Sequence, residues 1–227
     1  MVGYLRRGNF YIQRRTILNL LGQSRSILGA LLLFCSAAAF AADGAQLYAP
    51  CVACHGGKAE GNPALNAPAL AGQDAAYLER QLRNFRSGAR GTHKSDSFGA
   101  QMRALATALA NDAAVIQLAS YISTLPKVSV VSPAKGNLHN GNNLYQGKCG
   151  ACHGGKAEGN ASLKAPRLAG LDAVYLKRQF AHFRDGVRGT DQKDLPGRQM
   201  ALMAKTLATE RDLDDVIAFI HQQGRAK

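Results

Sequence analysis

The sequence predicts an all-α protein built as two tandem copies of one small helical domain. Three observations carry this. Shifted by 98 residues the chain lies on itself: 37 of the 72 positions in 51–122 are identical to those in 149–220 without a gap, which only a duplicated domain explains. Apolar residues recur at helical spacing in each copy, with Val115, Leu118, Ala119 and Ile122 answered by Leu213, Val216, Ile217 and Ile220 at i, i+3, i+4 and i+7. No segment alternates apolar and polar residues as a half-buried strand would.

The elements follow in order. The first 42 residues hold Arg6, Arg7, Arg14, Arg15 and Arg25 and no acid; an apolar stretch runs from Ile27 to Phe40 and ends in Ala39-Phe40-Ala41. A basic start, an apolar middle and an A-x-A end are the layout of a secretory signal peptide. Residues 1–41 are therefore expected to be removed on export to the periplasm. The apolar run is short for a membrane span; if retained, it would act as an anchor. Cleavage removes Cys35 and leaves Cys51, Cys54, Cys149 and Cys152.

The first domain is expected over 42–125. A short helix over 45–50 precedes Cys51, Asp74 is placed to cap a helix bearing Leu78, Leu82 and Phe85, and the stripe from Val115 closes the domain. Pro126, Pro133 and Gly136 mark 126–140 as a linker. The second domain, 141–227, repeats the pattern: a short helix over 141–147, Asp172 as a cap, and Thr209 with Asp212 resembling a capping box before the last helix. One residue fewer separates Tyr48 from Cys51 than Tyr145 from Cys149, so the first helix is expected to pack differently in the two copies.

Cys-x-x-Cys-His occurs twice, at 51–55 and 149–153. Two thiols three residues apart reach the two vinyl groups on one edge of a haem, and the adjacent histidine is then held beneath the iron. A zinc ribbon places its cysteine pairs closer together, a thioredoxin-like site needs a βαβ unit, and simple disulfides have no use for His55 and His153. Two covalently bound haem c groups are the expectation. A methionine as sixth ligand raises the reduction potential. Met102 and Met200 hold the same place in the repeat, each after a glutamine and 47 residues beyond its histidine. Met203 aligns with Leu105 and reads as core, although three residues from Met200 it shares a helix face and remains an alternative ligand. His93, His139, His182 and His221 do not recur between copies, which favours packing or surface roles.

The doubled Cys-x-x-Cys-His, followed in each copy by Pro-x-Leu-Ala-Gly, Tyr-Leu-x-Arg-Gln, Phe-Arg-x-Gly-x-Arg and a methionine before the last helix, resembles the dihaem cytochrome c4 family over nearly all of residues 44–223. The resemblance implies two tandem class I cytochrome c domains facing one another about a pseudo-twofold axis. It implies Cys51, Cys54, His55 and Met102 for the first haem, and Cys149, Cys152, His153 and Met200 for the second. It implies the carbonyls of Pro68 and Pro166 as acceptors for the proximal histidines. Arg80, Arg90, Arg178 and Arg188 stand as partners for haem propionates, or as a solvated basic helix face.

The family further implies an electron carrier between a quinol-oxidising complex and a terminal oxidase. A dihaem enzyme such as a peroxidase would need one iron without a methionine, and a fixed subunit of a membrane complex would keep its N-terminus. Beyond residue 42 the chain holds 23 basic and 15 acidic residues, with 7 against 6 in 43–125 and 14 against 9 in 141–227. In an exported protein this excess points away from nucleic acid and toward an acidic partner surface or an anionic membrane.

Overall fold

A computed structural model describes residues 44–127 and 132–225. The expected signal segment 1–41, with Cys35, lies outside them, as does part of the expected linker. From Gly44 onward the chain forms one compact unit. The regular structure of the described residues is helical, with one isolated bridge per copy, Asn62 with Ala67 and Asn160 with Ala165. The all-α expectation holds.

In the first half, residues 44–48 are helical and tighten into a 3-10 turn at Ala49–Cys51. Then follow α1 (Val52–His55), α2 (Ala75–Ser87), α3 (Ser97–Thr107) and α4 (Asp112–Thr124). The second half answers with α5 (Leu138–Lys148), α6 (Gly150–His153), α7 (Ala173–Arg184), α8 (Leu195–Met203) and α9 (Glu210–Arg225).

The caps explain the starts. Asp74 Oδ1 accepts from Tyr77 N at 3.1 Å and Asp172 Oδ1 from Val174 N at 3.0 Å, interactions worth about 0.5–2 kcal/mol each. Thr209 Oγ1 accepts from Asp212 N at 3.1 Å and donates to Asp212 Oδ2 at 2.9 Å. Asn137 caps α5 by accepting from Asn140 N at 3.1 Å, so that helix begins at Leu138 rather than near Gly141.

All eight stripe residues of α4 and α9 are buried, as are Leu78 and Phe85, while Leu82 is half-buried. The last helix of each half crosses the first at a glycine. A Cβ on Gly141 would lie 2.0 Å from the Asp215 carbonyl oxygen, and one on Gly44 would lie 2.5 Å from Tyr121 Cβ. Beside each crossing two rings pack tilted, Tyr48 on Tyr121 at 5.9 Å and Tyr145 on Phe219 at 5.0 Å between centroids.

The expected difference in packing before the first cysteine is absorbed locally. Tyr48 and Tyr145 are both buried, and their hydroxyls donate to equivalent carbonyls, Gly56 at 2.7 Å and Gly154 at 2.8 Å. The shorter first copy uses its 3-10 turn, with a greater rise per residue than an α-helix, where the second copy continues α5 to Lys148. No single described helix is long and apolar enough to cross a membrane.

Candidate cofactor sites

Each half holds a cavity, about 130 Å³ in the first and about 190 Å³ in the second. The Cys-x-x-Cys-His turn forms one wall. Cys54 and His55 line the first cavity, with Cys51 packed against the core just before α1; Cys149, Cys152 and His153 all line the second. Burial pushes the Cys51 thiol up, and pushes Cys149 up to about 11. Neither has the depressed value that the attacking cysteine of a redox dithiol needs.

The histidines are fixed by their surroundings. His55 and His153 are 3% and 6% exposed, and Nδ1 of each lies 2.9 Å from a proline carbonyl oxygen, Pro68 and Pro166 respectively. A carbonyl brings no proton, so Nδ1–H donates and the lone pair stays on Nε2. Burial lowers both imidazoles below their usual range and keeps them neutral. A neutral ring held through its Nδ1–H is the form that ligates a metal.

Helix α3 brings Met102 to the first cavity and α8 brings Met200 to the second, both half-buried. Met203 is not core: it is 40% exposed and lies at the rim of the second cavity, as Leu105 does at the first. The helix turns there from the interior to the mouth of the cavity, which its apolar period does not reveal. His93, His139, His182 and His221 line neither cavity. Apolar side chains supply most of the walls, Leu70, Leu78 and Ile122 in one half and Leu168, Leu176 and Ile220 in the other.

The four arginines divide into two pairs. Arg90 and Arg188 are 8% and 6% exposed and meet at the junction of the halves. Arg90 donates to Gln81 Oε1 and Gln179 Oε1, both at 2.9 Å; Arg188 donates to the same two oxygens at 2.8 and 2.7 Å. The four side chains form a closed ring. Each guanidinium also lies over a phenylalanine, Phe85 at 4.5 Å and Phe183 at 4.4 Å. Neither forms an ion pair among the described residues, and the Nε atoms of both are buried without a partner. An arginine does not shed its charge in a protein, and two buried cations with no ion-paired anion are costly. The site therefore fits a group that brings carboxylates to this junction, as a haem does with its two propionates. Arg80 and Arg178 instead direct their terminal nitrogens to the loop of the opposite half. The bridging role of Gln81 and Gln179 is the part that sequence reading missed; the repeated Tyr-Leu-x-Arg-Gln was the available signal.

The chain is similar to known proteins over most of its length. The family model described as cytochrome c matches twice, over residues 41–126 and 138–224. Cytochrome c4 of Azotobacter vinelandii is 35% identical over 175 residues, covering 73% of this chain and 82% of that protein. The thiosulfate dehydrogenase electron acceptor of Stutzerimonas stutzeri is 32% identical over 192 residues, covering 75% of this chain and 84% of that protein. Among solved structures, reduced cytochrome c4 from Pseudomonas stutzeri aligns with a TM-score of 0.65 at 28% identity, over 81% of this chain and 97% of that chain.

Proposed function

We propose, from the premise that this chain belongs to the cytochrome c family and within it to the dihaem cytochromes c4, that it is a periplasmic shuttle carrying electrons from a quinol-oxidising complex to a terminal oxidase. It is an electron-transfer protein with two covalently bound haem c groups, one for each Cys-x-x-Cys-His. In this reading Cys51 and Cys54 hold the first haem and Cys149 and Cys152 the second. His55 with Met102, and His153 with Met200, would hold the two irons. The haem supplies, when bound, a one-electron iron centre.

One observation carries the carrier reading over an enzyme: the two sites are alike. Each has a neutral imidazole pinned by a proline carbonyl and a methionine on the same cavity. Two sulfur–imidazole pairs would leave no iron position for a substrate, and the hydrogen bonds to the proline carbonyls would hold the imidazoles in place. A dihaem peroxidase would require one site to depart from this pattern. The test is a carbon monoxide difference spectrum on the dithionite-reduced protein. No change at either haem is expected; binding at half the haem would replace the carrier with an enzyme of small oxidants.

The basic, A-x-A-terminated segment 1–41 supports export with cleavage after Ala41. An intact mass that retained this segment would favour a fixed subunit of a membrane complex instead. A second reading of the donor rests on the relative named as an electron acceptor of thiosulfate dehydrogenase. Reduction by that enzyme with thiosulfate, compared with reduction by a quinol-oxidising complex, separates the two.

A further inference from the structure

Arg178 leaves its own half. Its Nη1 donates to Asn66 Oδ1 at 2.7 Å and its Nη2 to the Asn66 carbonyl oxygen at 2.9 Å. Arg80, its counterpart, reaches the other way, with Nη2 donating to the Lys164 carbonyl oxygen at 2.7 Å. Asn66 and Lys164 stand two residues before Pro68 and Pro166, whose carbonyls hold the buried imidazoles.

Little slack lies between them. Asn66 and Lys164 both adopt left-handed backbone, with φ of 56° and 57°. The next residue closes a small loop: Ala67 N donates to the Asn62 carbonyl at 3.1 Å, and the Ala67 carbonyl accepts from Asn62 N at 2.8 Å. Ala165 and Asn160 repeat this at 3.0 and 2.9 Å. Proline then fixes φ near −65°. A fork fastened to the Asn66 carbonyl therefore steadies the short stretch of backbone that leads into the Pro68 carbonyl.

We propose that Arg178 is a positioning residue for His55, and Arg80 for His153, so that each half sets the hydrogen bond on the proximal imidazole of the other. The proposal rests on the reading of these histidines as iron ligands. A firm Nδ1–H···O bond makes an imidazole a more basic ligand, which favours ferric iron and lowers the reduction potential; loosening the bond raises it.

The two straps are unequal. Arg178 has two acceptors on Asn66 and also lies over the Phe98 ring, 4.6 Å from its centroid. Arg80 has one acceptor, because a lysine side chain offers none, and Pro196 stands where the first half has Phe98. The first half's imidazole is thus the more tightly governed.

Arg178→Lys keeps the charge and loses the fork. The experiment is a potentiometric titration of the holoprotein, its two haems told apart by their methionine methyl resonances in the reduced state, with amide exchange followed at Ala67 and Ala165. The expected result is a rise in the first haem's potential with the second unmoved, and faster exchange at Ala67. Arg80→Lys should raise the second haem's potential by a smaller step and speed exchange at Ala165. A first haem unmoved by Arg178→Lys, or two haems shifted alike, would overturn the proposal. A parent protein without two histidine–methionine signatures would instead mean that the ligand reading itself had failed.

Discussion

The hydrogen bond from each buried imidazole to a proline carbonyl shows how much a single position settles. Chemistry fixed the cysteines and histidines in the sequence, because thioether attachment demands their spacing, and the repeat marked out Met102 and Met200. Met203 was misjudged, since the same helical period that points a residue to a core also points it to a cavity mouth. The two methionines make a direct comparison. Met200→Ala should open the second site, so that carbon monoxide binds at half the haem, while Met203→Ala should leave both sites closed; the difference spectrum of each reduced variant decides between them. The repeat marked Gln81 and Gln179, but not what they join. Each accepts from an arginine nine residues on and from one in the other half, 107 and 89 residues away, and no local pattern encodes a contact at that separation.

At the level of elements, the stripes on α4 and α9 and the caps at Asp74, Asp172 and Thr209 were legible because they depend on neighbours within one or two turns. The 3-10 turn at Ala49–Cys51 was not, because it compensates for a residue missing relative to the other copy, and the early start of α5 was overlooked although its cap, Asn137, is local. The crossing of α5 and α9 depends on Gly141, where an added Cβ would meet the Asp215 backbone at 2.0 Å. Backbone cannot rotate aside as a side chain does, so Gly141→Ala should lower stability by about 1–3 kcal/mol, read as an earlier denaturant midpoint. Gly147 in the same helix has nothing within 4 Å of its added Cβ, and Gly147→Ala should be neutral or stabilising by up to about 1 kcal/mol. Equal losses at both positions would show that helix propensity, not the crossing, governs this element.

Across the whole molecule the halves share a fold but not a surface. Lys148 and Lys164 line the second cavity, and the equivalent positions in the first copy are Pro50 and Asn66. With 14 basic against 9 acidic residues in 141–227, the second half is suited to an acidic partner or an anionic membrane face. Electron transfer to such a partner should slow as salt rises from about 0.01 M to 1 M, over which the screening length falls from about 30 to 3 Å. Stopped-flow rates across that range test this, and a rate indifferent to salt would remove electrostatic steering.

The ring at the centre has a bearing on ancestry. Arg90 reaches Gln179 as Arg188 reaches Gln81, and Arg80 reaches Lys164 as Arg178 reaches Asn66. Such reciprocity, in which one patch meets another copy of itself, belongs to isologous contacts between identical subunits. A single unduplicated half would carry every residue of the ring and both straps, and could pair with itself through them. Fusing two such genes would have required no new contact. It would have freed each copy to change alone, and the halves now differ in this way, one carrying the lysines and the other the doubled strap at Asn66.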